Sequence, residues 1–513
     1  MHVRQLVERR VAAHPDKPFL MFEQVETSYG AFDAIVNQVA NGFRQLGVEA
    51  GDRVCVMLSN CPPFLYAWFA LMKLGAILVP INSAFRSTET QYITAHSGAV
   101  AIIVDETTGP VVAEITASLP DLTHRISIAT TPGEGELAWS AVVDDQPTEF
   151  AGPSIDPEQV ASIIYTSGTT GTPKGVMQPH RSYIVAGESF AMRTALQADD
   201  RILTILPLFH ANAQFYSTMG TLVAGATMIL SPRFSASRFW EHVHQVGATQ
   251  FNFIGAIARM LYNQEPSPLE TSHQMRLACG APVPLEIYAD FERRFHLTVL
   301  ETYGLSECPM GTSNLLTRRK PGSMGQPSRH PDPQQYTRVR LVDDEDRDVP
   351  VGQTGEVVLQ SPALMVGYYR DPERTAEAMR SGWFHTGDEA YQDEDGFYFF
   401  VDRKKDIIRR RGENISSVEI ERVLNEHAAV AESAVIPVPA ALSEDDIQAY
   451  VVLRPAAEAT AEALQDWCRR RLAAFKIPHH IAFRDALPKT PTQRVEKYKL
   501  REEYLRQHGT AGG

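Results

Sequence analysis

Apolar positions in the first ~400 residues switch between two periods. Phe32, Ile35, Val36, Val39, Phe43 and Leu46 recur at helical spacing, and Gly47 predicts the end of that helix. Asp52 leads into an apolar strand over 53–58, and a further helix crosses to a strand over 76–80. The same rhythm predicts strands at 101–104, 202–205 and 227–230. Short apolar strands separated by helices predict an α/β fold whose mostly parallel sheets are covered by helices.

The pattern shifts near residue 400. Residues 396–401 read as an aromatic strand, and the charged run at 402–406 suits a linker. Ser416 and Glu419 stand at capping-box spacing, with Ile420, Val423 and Leu424 on the apolar face of the helix they open. Strands near 434–436 and 450–453, a helix holding Leu464, Trp467 and Leu472, and a basic tail follow. The prediction is a large N-terminal α/β domain over 1–401, hinged at Asp402 to a small α+β domain over 402–513.

Composition narrows the classes of function. A chain of 513 residues is long enough for at least two domains, and 44% hydrophobic with 21% charged residues is ordinary for a globular protein. A net charge of −14 argues against nucleic acid or an anionic membrane as the main partner. The most apolar stretch, 67–81, is interrupted by Lys73 and falls short of the ~20 residues of a membrane span. The N-terminal residues lack the basic start and apolar core of a signal peptide, which with the cysteines suggests a cytoplasmic protein. The five cysteines, at 55, 61, 279, 308 and 468, form neither a disulfide framework nor a metal spacing. His242/His244 and His479/His480 have no partner ligands nearby in sequence. They read as surface residues, and no zinc site is expected.

One segment concentrates chemistry. Tyr165, Thr166, Ser167, Gly168, Thr169, Thr170, Gly171, Thr172, Pro173, Lys174 and Gly175 follow the apolar strand at 161–164. Backbone N–H groups freed by glycine, hydroxyls and one ammonium are what a polyphosphate requires. The segment is not a Walker A loop, because Pro173 precedes Lys174 and Gly175, not Ser or Thr, follows it.

The loop resembles the signature of the adenylate-forming superfamily of acyl-CoA synthetases, peptide-synthetase adenylation domains and luciferases. Further blocks of that family follow in order: 208–212, Gly280-Ala281-Pro282, 301–307, 382–388, Asp402-Arg403, 411–414 and 487–490. The stretches 207–240 and 412–416 are most similar to the carnitine/crotonobetaine-CoA ligase-like branch. The resemblance implies acyl-adenylate chemistry with ATP or AMP, Mg²⁺ and coenzyme A. It implies that Tyr303 stacks on adenine opposite Gly280, Ala281 and Pro282, with Gly304 and Ser306 lining the nucleotide. It implies that Asp388 accepts from the ribose hydroxyls, that Arg403 belongs to the same nucleotide set, and that Glu307 is the metal ligand. His210 stands where relatives gate the acyl pocket, and a histidine there disfavours an α-amino-acid substrate. Asp402 matches the hinge of a small domain that rotates between adenylating and thioester-forming poses. Gly412, with Arg409, Arg410 and Arg411, falls in the loop that faces the site in the second pose.

The chain departs from the family at its C-terminus. Where relatives carry Gly-Lys after the 487–490 block, this sequence has Gln493-Arg494, so the lysine that bridges α-phosphate and carboxylate is an arginine. A planar guanidinium does not reproduce a compact ammonium at a bridging position. Lys497 and Lys499 are near, but only a register change would bring either into place. The expected reaction is acyl-CoA formation from a carboxylic acid through an acyl-adenylate. The alternatives are an enzyme of the thioester half-reaction alone, fed acyl-adenylate by a separate adenylating enzyme, and a ligand-binding pseudo-enzyme. No carrier-protein module follows the small domain, so free coenzyme A is the expected acceptor. Residues 251–255 and 310–311 are mostly apolar, which favours an uncharged hydrophobic acyl group, although Phe253 equally suits a core.

Overall fold

The structure is a computed structural model that describes residues 1–166, 173–404, 406–410, 413–439, 445–490 and 495–508. By its packing the chain forms two units: Met1–Val339 with Leu359–Trp383, and Arg340–Val358 with Phe384–Gly513. Among the described residues no helix is long and apolar enough to cross a membrane.

The first unit holds two large sheets. In one, the strands Thr298–Leu300, Leu277–Ala281, Gln250–Ile254, Arg201–Thr204, Thr227–Leu230 and Pro18–Phe22 lie side by side and parallel, and the hairpin strand Val25–Ser28 closes the edge. In the other, Val160–Thr166, Ile77–Pro80, Arg53–Met57, Ala101–Val104, His124–Ser127 and Leu137–Ala138 are parallel. Lys174–Pro179 and then Gly367–Tyr368 add antiparallel strands beside Val160–Thr166. The expected strands at 53–58, 76–80, 101–104, 202–205 and 227–230 are all present within a residue or two at each end.

The helix Tyr29–Gln45 shows how local chemistry sets an element. Ser28 Oγ accepts the N–H of Ala31 at 3.1 Å, and Phe32, Val36, Val39 and Phe43 are fully buried. Each such side chain contributes about 1.5–3 kcal/mol on leaving water. Leu46 ends the helix and Gly47 follows at φ 84°, a left-handed conformation in which glycine carries no Cβ clash. The helix Pro62–Leu74 packs on it and is buried nearly all round. Lys73, the charge that interrupts the apolar stretch, reaches Asp33 Oδ1 at 2.5 Å and Asn37 Oδ1 at 2.6 Å on the first helix.

In the second unit the strand Phe384–Gln392 pairs antiparallel with Tyr398–Arg403. A hairpin, Ile408–Arg410 with Glu413–Ile415, leads to the helix Ser417–Asn425. Val430–Pro439 pairs antiparallel with Asp445–Leu453, and His480–Phe483 runs parallel beside the latter. Ile408, Ile415, Ile420, Leu424, Val435, Ile447 and Leu464 form its core. Ser416 is the N-cap, its Oγ accepting from Glu419 N–H at 3.2 Å. The strand before it runs through Arg403, two residues into the run that reads as linker. Asp402 stays in the strand because its carboxylate is occupied: Oδ2 accepts the N–H and the hydroxyl of Ser417, each at 2.6 Å. Those donors stand at the first turn of Ser417–Asn425, where N–H groups have no helical partner and a negative charge is favoured.

Candidate active site

The phosphate-type loop is the connection of a β-hairpin. Thr166, the last residue of one strand, pairs with Lys174, the first of the next. Tyr92 Oη donates to the Pro173 carbonyl at 3.2 Å, and His96 Nδ1 lies 2.7 Å from Tyr165 Oη, so the helix Ser87–Ser97 ties down both ends of the loop. Ser167, Gly168, Thr169, Thr170 and Gly171 lie outside the described residues.

Lys174 directs its ammonium onto the face of Tyr368, 4.8 Å from the ring centroid. The same tyrosine donates its phenol to Glu307 Oε1 at 3.1 Å. Two residues singled out in the sequence, 133 positions apart, therefore meet on one tyrosine, one at its ring face and one at its hydroxyl. The Glu307 backbone is fixed as well: its carbonyl accepts Met365 N–H at 2.8 Å, and the Ser306 carbonyl before it accepts from Gln178 Nε2.

Gly280, Ala281 and Tyr303 come from neighbouring segments of the same unit. Gly280 lies against Phe253 in the parallel sheet, and a Cβ there would stand 2.1 Å from the Phe253 carbonyl oxygen. Gly304 is equally confined, 2.7 Å from Tyr216 Oη by the same construction. The turn at Ala281-Pro282-Val283 is joined to the strand Thr302–Tyr303 by Glu301. Its carboxylate accepts Val283 N–H at 3.1 Å and Gly322 N–H at 2.6 Å. Burial pushes this carboxyl up to about 7, against the pull of those two donors.

His210 follows Leu208-Phe209 and packs its ring 4.6 Å from that of Phe209. The chain after it, Ala213–Thr218, is a π-helical turn, closed by Thr218 Oγ1 donating to the Ala213 carbonyl at 2.8 Å. Such turns hold one more residue than an α-turn and occur often at functional sites. Phe251, Phe253 and Met310, read as possible acyl-pocket residues, are core side chains at 0–1% exposure.

In the second unit, Asp388 and Arg403 are paired across the strands Phe384–Gln392 and Tyr398–Arg403, Arg403 Nε lying 3.3 Å from Asp388 Oδ1. Asp388 is only 4% exposed. Asp402, through Ser417, continues into a buried network. Lys497 Nζ donates to Ser417 Oγ at 2.6 Å and pairs with Glu421 at 2.8 Å. Burial opposes the charge on Lys497, but Glu421, Asp402 and Asp406 outweigh it and hold its pKa above the usual lysine value. Lys499 pairs with Glu496 at 2.6 Å. Both lysines near position 494 are thus engaged inside their own unit. Arg411, Gly412, Gln493 and Arg494 lie outside the described residues, and of Arg409 and Arg410 only the strand backbone is described.

His242 departs from the surface reading: it is half-buried, and its Nε2 lies 3.0 Å from Ser231 Oγ. Sequence reasoning missed Tyr368, Glu301, Tyr92 and His96. The Gly367-Tyr368-Tyr369 run was the one local signal for the first, and it lies in a two-residue strand with no period to read.

The family described as AMP-binding enzyme matches residues 7–369, and its C-terminal domain family matches residues 419–494. The crotonobetaine/carnitine–CoA ligase of Citrobacter koseri is 31% identical, over 98% of this chain and 99% of its own length. That of Salmonella agona is 32% identical over the same shares. The crystal structure of the anthranilate CoA ligase AuaEII in complex with anthranoyl-AMP matches with a TM-score of 0.90 and 27% identity, covering 99% of this chain and 98% of that one. ATP-bound MatB from Rhodopseudomonas palustris matches with a TM-score of 0.88 and 27% identity, covering 98% and 99%. This chain belongs to the adenylate-forming family of AMP-binding enzymes, as an acid–thiol ligase of the acyl-CoA synthetase type.

Proposed function

We propose that the protein makes an acyl-CoA thioester from a carboxylic acid and coenzyme A by way of an acyl-adenylate. The observation that carries the reading is the meeting of Lys174, at the end of the phosphate-type loop, with Glu307 on Tyr368. An ammonium and a carboxylate held by one tyrosine suit a bound triphosphate and its cation. In this reading Thr166 and Lys174 hold phosphates, Tyr303 stacks on adenine against Gly280-Ala281-Pro282, and Asp388, oriented by Arg403, accepts from the ribose. Glu307 is the residue that would hold Mg²⁺, whose chemistry when bound is to neutralise phosphate charge. Its oxygen donor and confined backbone fit that role. His210 borders the acyl group, Asp402 is the hinge between 1–401 and 402–513, and Gly412 leaves room for the coenzyme A thiol.

The relatives named above act on crotonobetaine or carnitine and on anthranilate. For this chain the mostly apolar sequence at 251–255 and 310–311 is the basis for reading an uncharged, mainly apolar acyl group, although Phe251, Phe253 and Met310 themselves are core side chains. A second reading, the thioester half-reaction alone, is favoured by one observation. Arg494 replaces the bridging lysine, and the lysines that follow it, Lys497 and Lys499, are committed to Glu421 and Glu496. The deciding experiment supplies coenzyme A with either a panel of free acids plus MgATP or the matching acyl-adenylates, and measures thioester. Product from both routes supports the complete ligase, and product from adenylates alone supports the half-reaction. No thioester by either route would sink both.

A further inference from the structure

Tyr368 has no role in the reading above beyond its contacts, yet its side chain touches both Lys174, through the ring face, and Glu307, through the hydroxyl. It is 5% exposed, so its hydroxyl is not a solvated surface group. Its backbone is set from three sides. Tyr368 pairs with Val176 in the strand that begins at Lys174, its N–H donates to Thr375 Oγ1 at 2.9 Å, and the next residue donates to the Gly175 carbonyl at 2.7 Å. The neighbouring Met365 N–H holds the Glu307 carbonyl at 2.8 Å. One short segment, 365–369, therefore registers the loop strand and the Glu307 turn against each other.

A carboxylate that ligates a cation needs its free rotation removed, and an outer hydrogen bond is the usual means. Loss of such a partner typically weakens metal affinity by roughly 10–100-fold. The ring face works on a different group. An ammonium over an aromatic face is attracted by the negative face of the ring quadrupole. We propose that Tyr368 is a positioning residue for nucleotide binding, its hydroxyl orienting Glu307 toward the cation of MgATP and its ring holding Lys174 toward the phosphates. The inference rests on the reading of Glu307 and Lys174 given under the proposed function.

The two halves of the side chain separate experimentally. Tyr368→Phe keeps the ring and its packing and removes only the phenol; Tyr368→Leu removes both. Calorimetry on the full chain measures MgATP, ATP in chelator, and AMP, with thermal unfolding confirming the fold of each variant. Tyr368→Phe is expected to bind MgATP about tenfold more weakly, with AMP and metal-free ATP within twofold of wild type. Tyr368→Leu is expected to weaken metal-free ATP as well, by a few-fold. In a Glu307→Gln background the Phe substitution should have no further effect, since the group it orients is gone. Equal MgATP affinity in Tyr368→Phe and wild type would overturn the inference. So would equal losses for AMP and MgATP, or an undiminished tenfold loss in the Glu307→Gln background. If wild type itself binds no MgATP, the underlying reading of the site fails and the inference falls with it.

Discussion

On the proposed reading, adenylation turns on one residue, Arg494. The transition state of adenylation carries negative charge on the α-phosphate and the incoming carboxylate, and one lost preorganised contact typically costs roughly 10²–10³ in rate. Lys497 cannot serve without abandoning Glu421 and Ser417, 2.8 and 2.6 Å away. Arg494→Lys is therefore expected to raise pyrophosphate release with a cognate acid by at least tenfold, leaving thioester formation from acyl-adenylate unchanged. Pyrophosphate release by wild type that matches the variant would show that the guanidinium suffices. The proposed departure at 493–494 rests on a local run of residues alone. The commitment of Lys497 was not legible in any such run: its partners are 80 and 76 positions earlier, and no spacing rule links a lysine opening one helix to a serine and a glutamate on another.

At the scale of elements, sequence was informative wherever the cause was local. The Ser416 cap and the Gly47 stop follow from one or two side chains and a φ angle, and both stand where the pattern puts them. The end of the strand at Arg403 was misread because a charged run looks solvated until its partner is known. Asp402 is 2% exposed and bonded to Ser417, 15 residues later. The helix Ser417–Asn425 thus begins on a network in which Asp402 and Ser417 are buried and Lys497 and Glu421 are mostly buried. Removing one member of a buried charge pair costs about 3–5 kcal/mol, because the other is left uncompensated. Lys497→Met is expected to destabilise the protein by that amount in urea unfolding, and Lys497→Met with Glu421→Gln to recover part of it. A loss under about 1 kcal/mol for the single variant would show that water or rearrangement supplies the missing charge.

For the molecule as a whole, stability should carry the imprint of Glu301. Its carboxyl titrates at about 7 when folded and near 4.5 when not. Below pH 4.5 both states hold the proton. Between the two values the folded chain keeps a proton that the unfolded chain has released, so this stabilising contribution is lost as pH rises through 7. Relative to Glu301→Gln, which does not titrate, wild type is expected to lose about 2 kcal/mol of unfolding free energy between pH 5.5 and 8. Parallel pH profiles for the two proteins would remove Glu301 as the cause.

The strand Gly367–Tyr368 has a consequence in time as well as in space. It pairs with residues 176 and 177, about 190 residues earlier in the chain. At roughly 5–20 residues per second of synthesis, the strand that begins at Lys174 leaves the ribosome roughly 10–40 s before its outer partner does. For that interval the loop strand is a sheet edge with open N–H and C=O groups, a template for pairing with another nascent chain. The meeting of Lys174 and Glu307 would thus be completed late, because Tyr368, which joins them, is synthesised after both. Slowed translation between residues 180 and 365 is expected to lower the soluble yield more than the same slowing after residue 400.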